Sequence, residues 1–221
     1  MPFNHIKLQE LEFNLKSITT ESGRLYQTPN GNLYPSVTTV LSAYNKKSIY
    51  EWRQKVGEEE ANKISGRASR RGTSLHTVCE KYLLNESHNM MPDTKELFLK
   101  IKTDLDENVK NVYALEQSLY SDKLKIAGRV DCIADWAGEL SVIDFKSSTY
   151  EKDENKILNY FMQCTAYAMM FEEITNKPVS QIVVLIAVEN GTNQVFVRDR
   201  TKYETNLFHY LSEYDRNNKG D

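Results

Sequence analysis

The hydrophobic positions in the middle of the chain alternate with polar ones, and this period of two is typical of β-strands. The connections between these segments are short, so we expect neighbouring strands to be antiparallel. Three strands are predicted, at residues 112–120, 124–135 and 140–147, with a tight turn at 136–139 between the last two. The sequence therefore predicts a three-stranded meander at the centre of the fold.

Around this meander, apolar residues recur every three or four positions, which is the spacing of helices with one buried face. The predicted helices cover residues 48–64, 68–84, 94–109, 155–171 and 201–214, and Gly66 is expected to separate the first two. The helix at 155–171 is apolar almost all round, so it should be buried on several sides. A continuous apolar run at 183–188 predicts a strand covered on both faces, followed by a strand at 194–198.

The N-terminal region carries a hairpin signal, because Asn30-Gly31 lies between two short β-like segments. Ser36 then suits the N-cap of a following helix. The whole pattern predicts an α/β fold with a central mixed sheet flanked by helices. We expect one domain over 1–221, made of a β/helical extension (1–66), a catalytic core (67–200) and a C-terminal helix with a frayed tail (201–221).

Composition narrows the class of protein without naming a function. The chain has 221 residues, 40% hydrophobic and 27% charged, as expected of an ordinary globular protein, and its net charge of -3 neither requires nor excludes nucleic acid. It contains no apolar run of about 18 residues and no secretory signal, so no membrane association is expected. Cys79, Cys132 and Cys164 are far apart, which argues against a disulfide framework or zinc ribbon and favours the cytoplasm.

Asp144 and Lys146 are two residues apart on a predicted strand, so their side chains should leave the same face. Asp131 lies on the partner strand, close enough to face the same point, and Gly128 allows close backbone approach. Two carboxylates and an ammonium at one place suit a Mg²⁺ or Mn²⁺ site for phosphodiester hydrolysis, in which Lys146 would position water or stabilise developing charge. The alternative is a surface strand crossed by a salt bridge.

Two helices carry polar residues at a spacing of four. His76 and Glu80 share one helical face, although a lone histidine is more often structural, and the spacing does not match zinc proteases. Gln163 and Tyr167 share a face of the apolar helix, where an unpaired buried amide would cost about 1–3 kcal/mol. Gln163 therefore either makes a core hydrogen bond or orients a catalytic side chain.

Lys63, Arg67, Arg70 and Arg71 form a basic cluster at the start of the second predicted helix. Such a cluster is usually a solvated helix surface, and the functional alternative is contact with DNA phosphates. No G-x-x-x-x-G-K-[ST] sequence is present, which excludes an ATP-driven motor of that kind.

Four segments in order resemble the PD-(D/E)XK nuclease superfamily, and specifically its RecB-like branch. They are R-G-T-S-L-H-x-x-x-E (71–80), G-R-V-D (128–131), V-I-D-F-K (142–146) and Q-C-T-A-Y (163–167). The segment Y-P-S-V-T-T-V-L (34–41) extends the likeness to the group of mitochondrial genome maintenance exonucleases and their phage-encoded relatives. The resemblance covers roughly residues 31–190.

This resemblance implies a restriction-endonuclease-like core and a metal-dependent DNA exonuclease that prefers single strands or free ends. It implies His76, Asp131 and Asp144 as ligands of Mg²⁺ or Mn²⁺, the Phe145 carbonyl as an extra ligand, and Lys146 as the catalytic lysine. Supporting or DNA-contacting positions would be Ser36, Arg67, Arg70, Arg71, Glu80, Glu116, Gln163 and Tyr167.

Some RecB-like nucleases carry four cysteines for an iron–sulfur cluster, and with three cysteines we expect none here. If the chain is phage-encoded, its compartment would be the host cytoplasm. A structure-specific or restriction-like endonuclease and a non-catalytic DNA-binding module on the same fold remain alternatives.

Overall fold

The computed structural model describes residues 2–218 and contains nine strands and six helices within that range. The strands are β1 (Asn4–His5), β2 (Lys16–Thr20), β3 (Gly23–Gln27), β4 (Leu33–Pro35), β5 (Val109–Ser121), β6 (Ile126–Trp136), β7 (Glu139–Ser148), β8 (Gln181–Val188) and β9 (Gln194–Asp199). The helices are α1 (Val37–Ala43), α2 (Lys46–Val56), α3 (Glu58–Leu83), α4 (Pro92–Asn108), α5 (Leu158–Thr175) and α6 (Thr201–Asn218). Short 3₁₀ turns lie at Gln9–Leu11 and Glu154–Lys156.

Six strands form one sheet in the order β1-β5-β6-β7-β8-β9. Strands β5, β6 and β7 are the predicted antiparallel meander, whereas β7 and β8 are parallel and β9 returns antiparallel. One face of the sheet packs against α1, α5 and α6, and the other against α3 and α4. The prediction of a mixed sheet flanked by helices is therefore confirmed. The two-residue strand β1 was not predicted, since it is too short to show a period.

The turn between β6 and β7 is tighter than predicted. Trp136 and Glu139 pair with each other as strand residues, which leaves Ala137 and Gly138 as the turn. Both have positive φ, at +53° and +92°. That combination is the one that suits the twist of a two-residue hairpin.

The helix break predicted at Gly66 is wrong. The chain breaks at Gly57, whose φ of +88° ends α2 and precedes α3, and α3 then runs without interruption through Gly66. A glycine inside a helix costs about 1 kcal/mol relative to alanine, which is less than the second half of α3 gains by burying Leu75 and Val78. The predicted limit between extension and core at residue 66 thus falls inside a helix.

The two halves of α3 differ in burial. Its first half, residues 58–70, buries Ala61 alone, while its second half buries four apolar side chains against the sheet and α4. Helix α2, which precedes it, has no buried residue. Helix α2 and the first half of α3 therefore contribute almost nothing to the buried core.

The N-terminal hairpin is confirmed as β3 and β4, in which Tyr26 pairs with Tyr34, and β2 adds a third strand. Ser36 caps α1 by accepting a 3.0 Å hydrogen bond from the Thr39 amide. Ser36 also bridges to Ala127, which joins this small sheet to β6.

The C-terminal helix is longer than predicted. Helix α6 includes Asn217 and Asn218, so the first part of the predicted frayed tail is helical, and residues 219–221 lie outside the described range. Within residues 2–218, no helix has the length and apolar character needed to cross a membrane.

Candidate active site

The centre of the site lies where β6 and β7 separate. Their pairing runs from the turn to Cys132 and Ile143 and stops there. One residue further along each strand stand Asp131 and Asp144, which are 8% and 1% exposed. The amide of Phe145, which loses its backbone partner on β6, donates a 2.9 Å hydrogen bond to Asp131 Oδ2. Where the pairing of β6 and β7 ends, the Asp131 carboxylate thus takes the place of a backbone acceptor.

Asp144 and Lys146 form an ion pair inside this opening. Gln163 on α5 donates a 3.0 Å hydrogen bond to Asp144 Oδ1, which supports the prediction that this buried amide orients a carboxylate. Lys146 Nζ lies 5.1 Å from the centre of the Tyr160 ring, a cation–π distance. Because Asp144 is almost fully buried, the alternative of a salt bridge on a surface strand does not describe it.

A second cluster lies beside this pair and contains His76 from α3, Glu116 from β5 and Asp131 from β6. His76 Nδ1 is 3.4 Å from Asp131 Oδ1 and 3.9 Å from Glu116 Oε1. One ligand atom from each residue lies within 4.8 Å of the others. Two carboxylates with one imidazole are a donor set that can hold a divalent cation.

The sequence prediction of His76, Asp131 and Asp144 as ligands is matched only in part by this geometry. Asp144 is not among the three residues of the cluster, and its oxygens face Gln163 and Lys146. At Phe145 the contact seen is that of the amide with Asp131. The roles of His76, Asp131, Asp144 and the Phe145 carbonyl as metal ligands all stay predictions.

Glu116 joins the cluster through an unusual backbone. Its φ is +45°, although it lies within a strand, and its neighbours on β5 pair with the neighbours of Asp131 on β6. Such a conformation costs about 1–3 kcal/mol and is found preferentially at functional sites. The side-chain alternation of β6 also changes here, since Val130 packs on the α5 side of the sheet and Cys132 on the α3 side. Glu116 and Asp131 therefore face each other at an irregular point of the ladder.

The charges of the cluster support one another. Burial alone would lower the pKa of His76, but contacts with Asp131 and Glu116 raise that pKa to about 10. Burial alone would raise the pKa of Asp131, and His76, Lys146 and the Phe145 amide together hold it below its usual value. Burial and the charge of Asp131 raise the pKa of Asp144. Without a metal, His76 therefore carries the proton that a cation would have to displace.

Tyr167 packs directly against Gly128 and is 3% exposed. A Cβ added at Gly128 would lie 2.8 Å from two atoms of the Tyr167 side chain. The absence of a side chain at this position is what lets α5 approach β6. The close approach expected at Gly128 is therefore present, and the neighbour is Tyr167.

The predicted basic cluster is divided between different contacts. The Arg71 guanidinium, 14% exposed, donates hydrogen bonds to Ser147, Thr149 and Glu189, and so ties α3 to the ends of β7 and β8. Arg67 donates a 2.7 Å hydrogen bond to the same Glu189. These contacts are structural.

The remaining predicted positions are not part of the three-residue cluster. Arg70 is exposed, and Lys63 pairs with Glu59 one turn away on α3. Glu80 is half-buried, one turn beyond His76, and outside the three-residue cluster. Ser36 is buried, and its hydroxyl serves as the cap of α1.

Sequence reasoning missed two residues at the site. Tyr160 lies three positions before Gln163 on α5, so helical spacing from the predicted Gln/Tyr pair could have found it. Arg129 lies two positions before Asp131, and its Nη1 is 3.7 Å from Glu116 Oε2. Strand alternation from Asp131 was the available signal for Arg129.

Comparison with known proteins gives one family. The model of the PD-(D/E)XK nuclease superfamily matches residues 37–214. The mitochondrial genome maintenance exonuclease 1 of Homo sapiens is 27% identical over 177 residues, which is 73% of this chain and 51% of that protein. The protein of the same name from Xenopus tropicalis is 25% identical over 202 residues, which is 85% of this chain and 57% of that protein. The chain thus spans about half the length of these curated relatives.

Among solved structures, the crystal structure of SSO0001 superposes with a TM-score of 0.47 at 14% identity. The superposition covers 84% of this chain and 76% of that one. This likeness is too distant to bear on function.

Proposed function

Because the chain belongs to the PD-(D/E)XK nuclease superfamily, we propose that it is a Mg²⁺- or Mn²⁺-dependent DNA exonuclease that prefers single strands or free ends. Membership in this superfamily supports nuclease activity. The step to an exonuclease is supported by the names of its relatives, and the step to a metal enzyme by one observation. That observation is the cluster of His76, Glu116 and Asp131 beside the buried pair of Asp144 and Lys146.

His76, Glu116 and Asp131 would hold the cation, and their donor atoms are already gathered within 4.8 Å. Asp144 and the Phe145 carbonyl are further ligands that the family resemblance suggests. When bound, a divalent cation lowers the pKa of a coordinated water and neutralises charge on the phosphodiester. Carboxylate oxygens favour Mg²⁺ and Mn²⁺ over softer metals.

Lys146 would act on the reacting phosphate. Its ammonium is held by Asp144 on one side and the Tyr160 ring on the other. Burial disfavours its charge, but Asp144 and Asp131 more than compensate and raise the pKa of Lys146, so it stays protonated at neutral pH. A fixed positive charge in a partly buried site can hold the attacking water or stabilise the negative charge that develops on the phosphate. Gln163 fixes Asp144, and therefore fixes Lys146.

The test is cleavage of end-labelled DNA by the purified protein. Linear single strands, linear duplexes and circular single strands are incubated with Mg²⁺, with Mn²⁺ and with a chelator. We expect products from linear single strands with either metal, none with the chelator, and an intact circle. The variant Lys146→Ala serves as the matched control against a contaminating nuclease.

Each alternative has its own outcome in this experiment. Cleavage of the circle would replace the exonuclease with an endonuclease. Binding of DNA without product in either metal would identify a non-catalytic module. Equal cleavage by the wild type and Lys146→Ala would mean that the observed cleavage does not come from the proposed site.

A further inference from the structure

Arg129 is the exposed residue of a strand that is otherwise buried along almost its whole length. Its side chain is 60% exposed, while its neighbours Gly128 and Val130 are buried. It precedes Asp131 by two positions on β6, and its exposed guanidinium lies beside Glu116 of the three-residue cluster. A guanidinium at this place is accessible both to solvent and to a substrate.

The contact that Arg129 makes is a loose one. Its Nη1 lies 3.7 Å from Glu116 Oε2, too far for a hydrogen bond. The other oxygen of Glu116 lies 3.9 Å from His76 Nδ1. Exposed ion pairs at such distances contribute little to stability and exchange easily. Glu116 thus contacts both His76, which belongs to the cluster, and Arg129, which is exposed beside it.

Two arginines of α3 near the sheet are held by closer contacts. Arg71 is nearly buried and has three hydrogen-bond partners, and Arg67 donates a short hydrogen bond to Glu189. Arg71 cannot leave these partners without opening the contact between α3 and the ends of β7 and β8, and Arg67 is at hydrogen-bonding distance from its partner. Arg129 is under no such constraint, because its single ion pair can be exchanged for another anion.

We propose that Arg129 is a substrate-positioning residue that binds a DNA phosphate after a divalent cation has taken Glu116 from it. The inference rests on the proposed function. A cation in the cluster attracts the Glu116 carboxylate, which then no longer balances the guanidinium. Arg129 is left beside the cluster with a free charge and bidentate donors, which suit a phosphate. Because coupling is reciprocal, metal strengthens DNA binding through Arg129, and DNA strengthens metal binding by the same factor.

The experiment measures DNA binding in a background that does not cleave. Fluorescence anisotropy with a labelled oligothymidine strand gives Kd over a range of NaCl concentrations for Lys146→Ala and for Arg129→Gln/Lys146→Ala, in Mn²⁺ and in chelator. One lost phosphate contact on a single strand lowers the slope of log Kd against log salt by about 0.7. We expect that decrease in Mn²⁺ and a much smaller one in chelator, where Glu116 still holds Arg129.

Calorimetry with Mn²⁺ alone separates this role from a structural one. The Arg129→Gln variant should bind Mn²⁺ at least as tightly as its parent, because Glu116 is no longer shared. Arg216→Gln is the control, since Arg216 is 71% exposed and paired with Glu213 on α6, remote from the sheet opening. It should leave the salt slope and the effect of Mn²⁺ unchanged.

An unchanged slope for Arg129→Gln in Mn²⁺ would overturn the proposal. An equal decrease in Mn²⁺ and in chelator would also overturn it, since Arg129 would then bind phosphate without exchange at Glu116. The proposed nuclease activity is decided separately by cleavage with the wild type, so a changed slope without any cleavage would uphold the role of Arg129 and refute the enzyme.

Discussion

Replacing Gly128 with alanine is expected to destabilise the protein through one identifiable overlap. The new Cβ would lie 2.8 Å from Cε1 and from the hydroxyl oxygen of Tyr167, and 3.2 Å from Cζ. Carbon atoms in contact prefer about 3.5–4.0 Å, so about 0.7 Å of overlap has to be relieved. Tyr167 is packed in the core and cannot turn into solvent. Relief by shifting β6 or α5 should cost about 1–3 kcal/mol, as overpacking of a core does.

Equilibrium unfolding in urea and thermal unfolding measure this loss. For a chain of this length, 1 kcal/mol corresponds to about 2–4 °C, so Tm should fall by about 2–12 °C. Gly66→Ala is the matched control, because Gly66 lies inside α3 with its nearest neighbour, Arg70, 3.4 Å from the new Cβ. That change should raise stability by up to about 1 kcal/mol. Cleavage should fall with Gly128→Ala, since Asp131 lies three residues further along β6.

A double variant identifies the source of the overlap. Tyr167→Phe removes the hydroxyl, one of the two atoms at 2.8 Å. The loss in Gly128→Ala/Tyr167→Phe should therefore be smaller than the sum of the two single losses, because the residues share one contact. A Gly128→Ala protein as stable as the wild type, or strictly additive losses, would refute this explanation of why the position carries glycine.

Four further predictions concern the site itself. Lys146→Met keeps the aliphatic stem and removes the charge, so cleavage should fall by about 10²–10⁴-fold while circular dichroism stays unchanged, and full activity would exclude Lys146. Asp144→Asn is expected to have the same effect on cleavage. Gln163→Leu leaves the buried Asp144 without its 3.0 Å hydrogen bond and should lower the free energy of unfolding by about 1–3 kcal/mol. Cleavage should fall as well, and Gln163→Glu should not restore it. Mn²⁺ must displace a proton from His76, whose pKa is raised to about 10, so Mn²⁺ affinity should increase as pH rises towards that value. Calorimetry in buffers of different ionisation enthalpy should count about one released proton, and a count of zero would contradict protonation of His76.

The meander at the centre of the fold could be predicted because alternation is visible over parts of its strands and its turn is short. The buried strand β8 and the apolar helix α5 were equally clear, since each is covered on all sides and its sequence shows this. The proximity of Asp144 and Lys146 followed from strand periodicity, and that of Asp131 from its place on the partner strand. These are places where local pattern and tertiary packing demand the same residues.

Glu116 marks the limit of such reasoning. Its place opposite Asp131 depends on a positive φ and on a change of alternation within the ladder, and neither is visible in residue spacing. Gly66 shows the reverse error, because a local helix breaker was outweighed by burial elsewhere in the same helix. The ion pair of Arg71 with Glu189 joins residues 118 positions apart, so the charges of one sequence segment do not reveal it.

The difference in burial between the two halves of α3 affects which sequence changes this protein can tolerate during evolution. Helix α2 and the first half of α3 bury almost nothing, whereas Arg71 and the buried second half fix His76 against the sheet. Substitutions at the exposed positions of α2 and of the first half of α3 should therefore be tolerated, whereas Ala61 is buried and Arg67 is hydrogen-bonded to Glu189. Changes in the exposed part of these two helices would thus leave the cluster of His76, Glu116 and Asp131 in place.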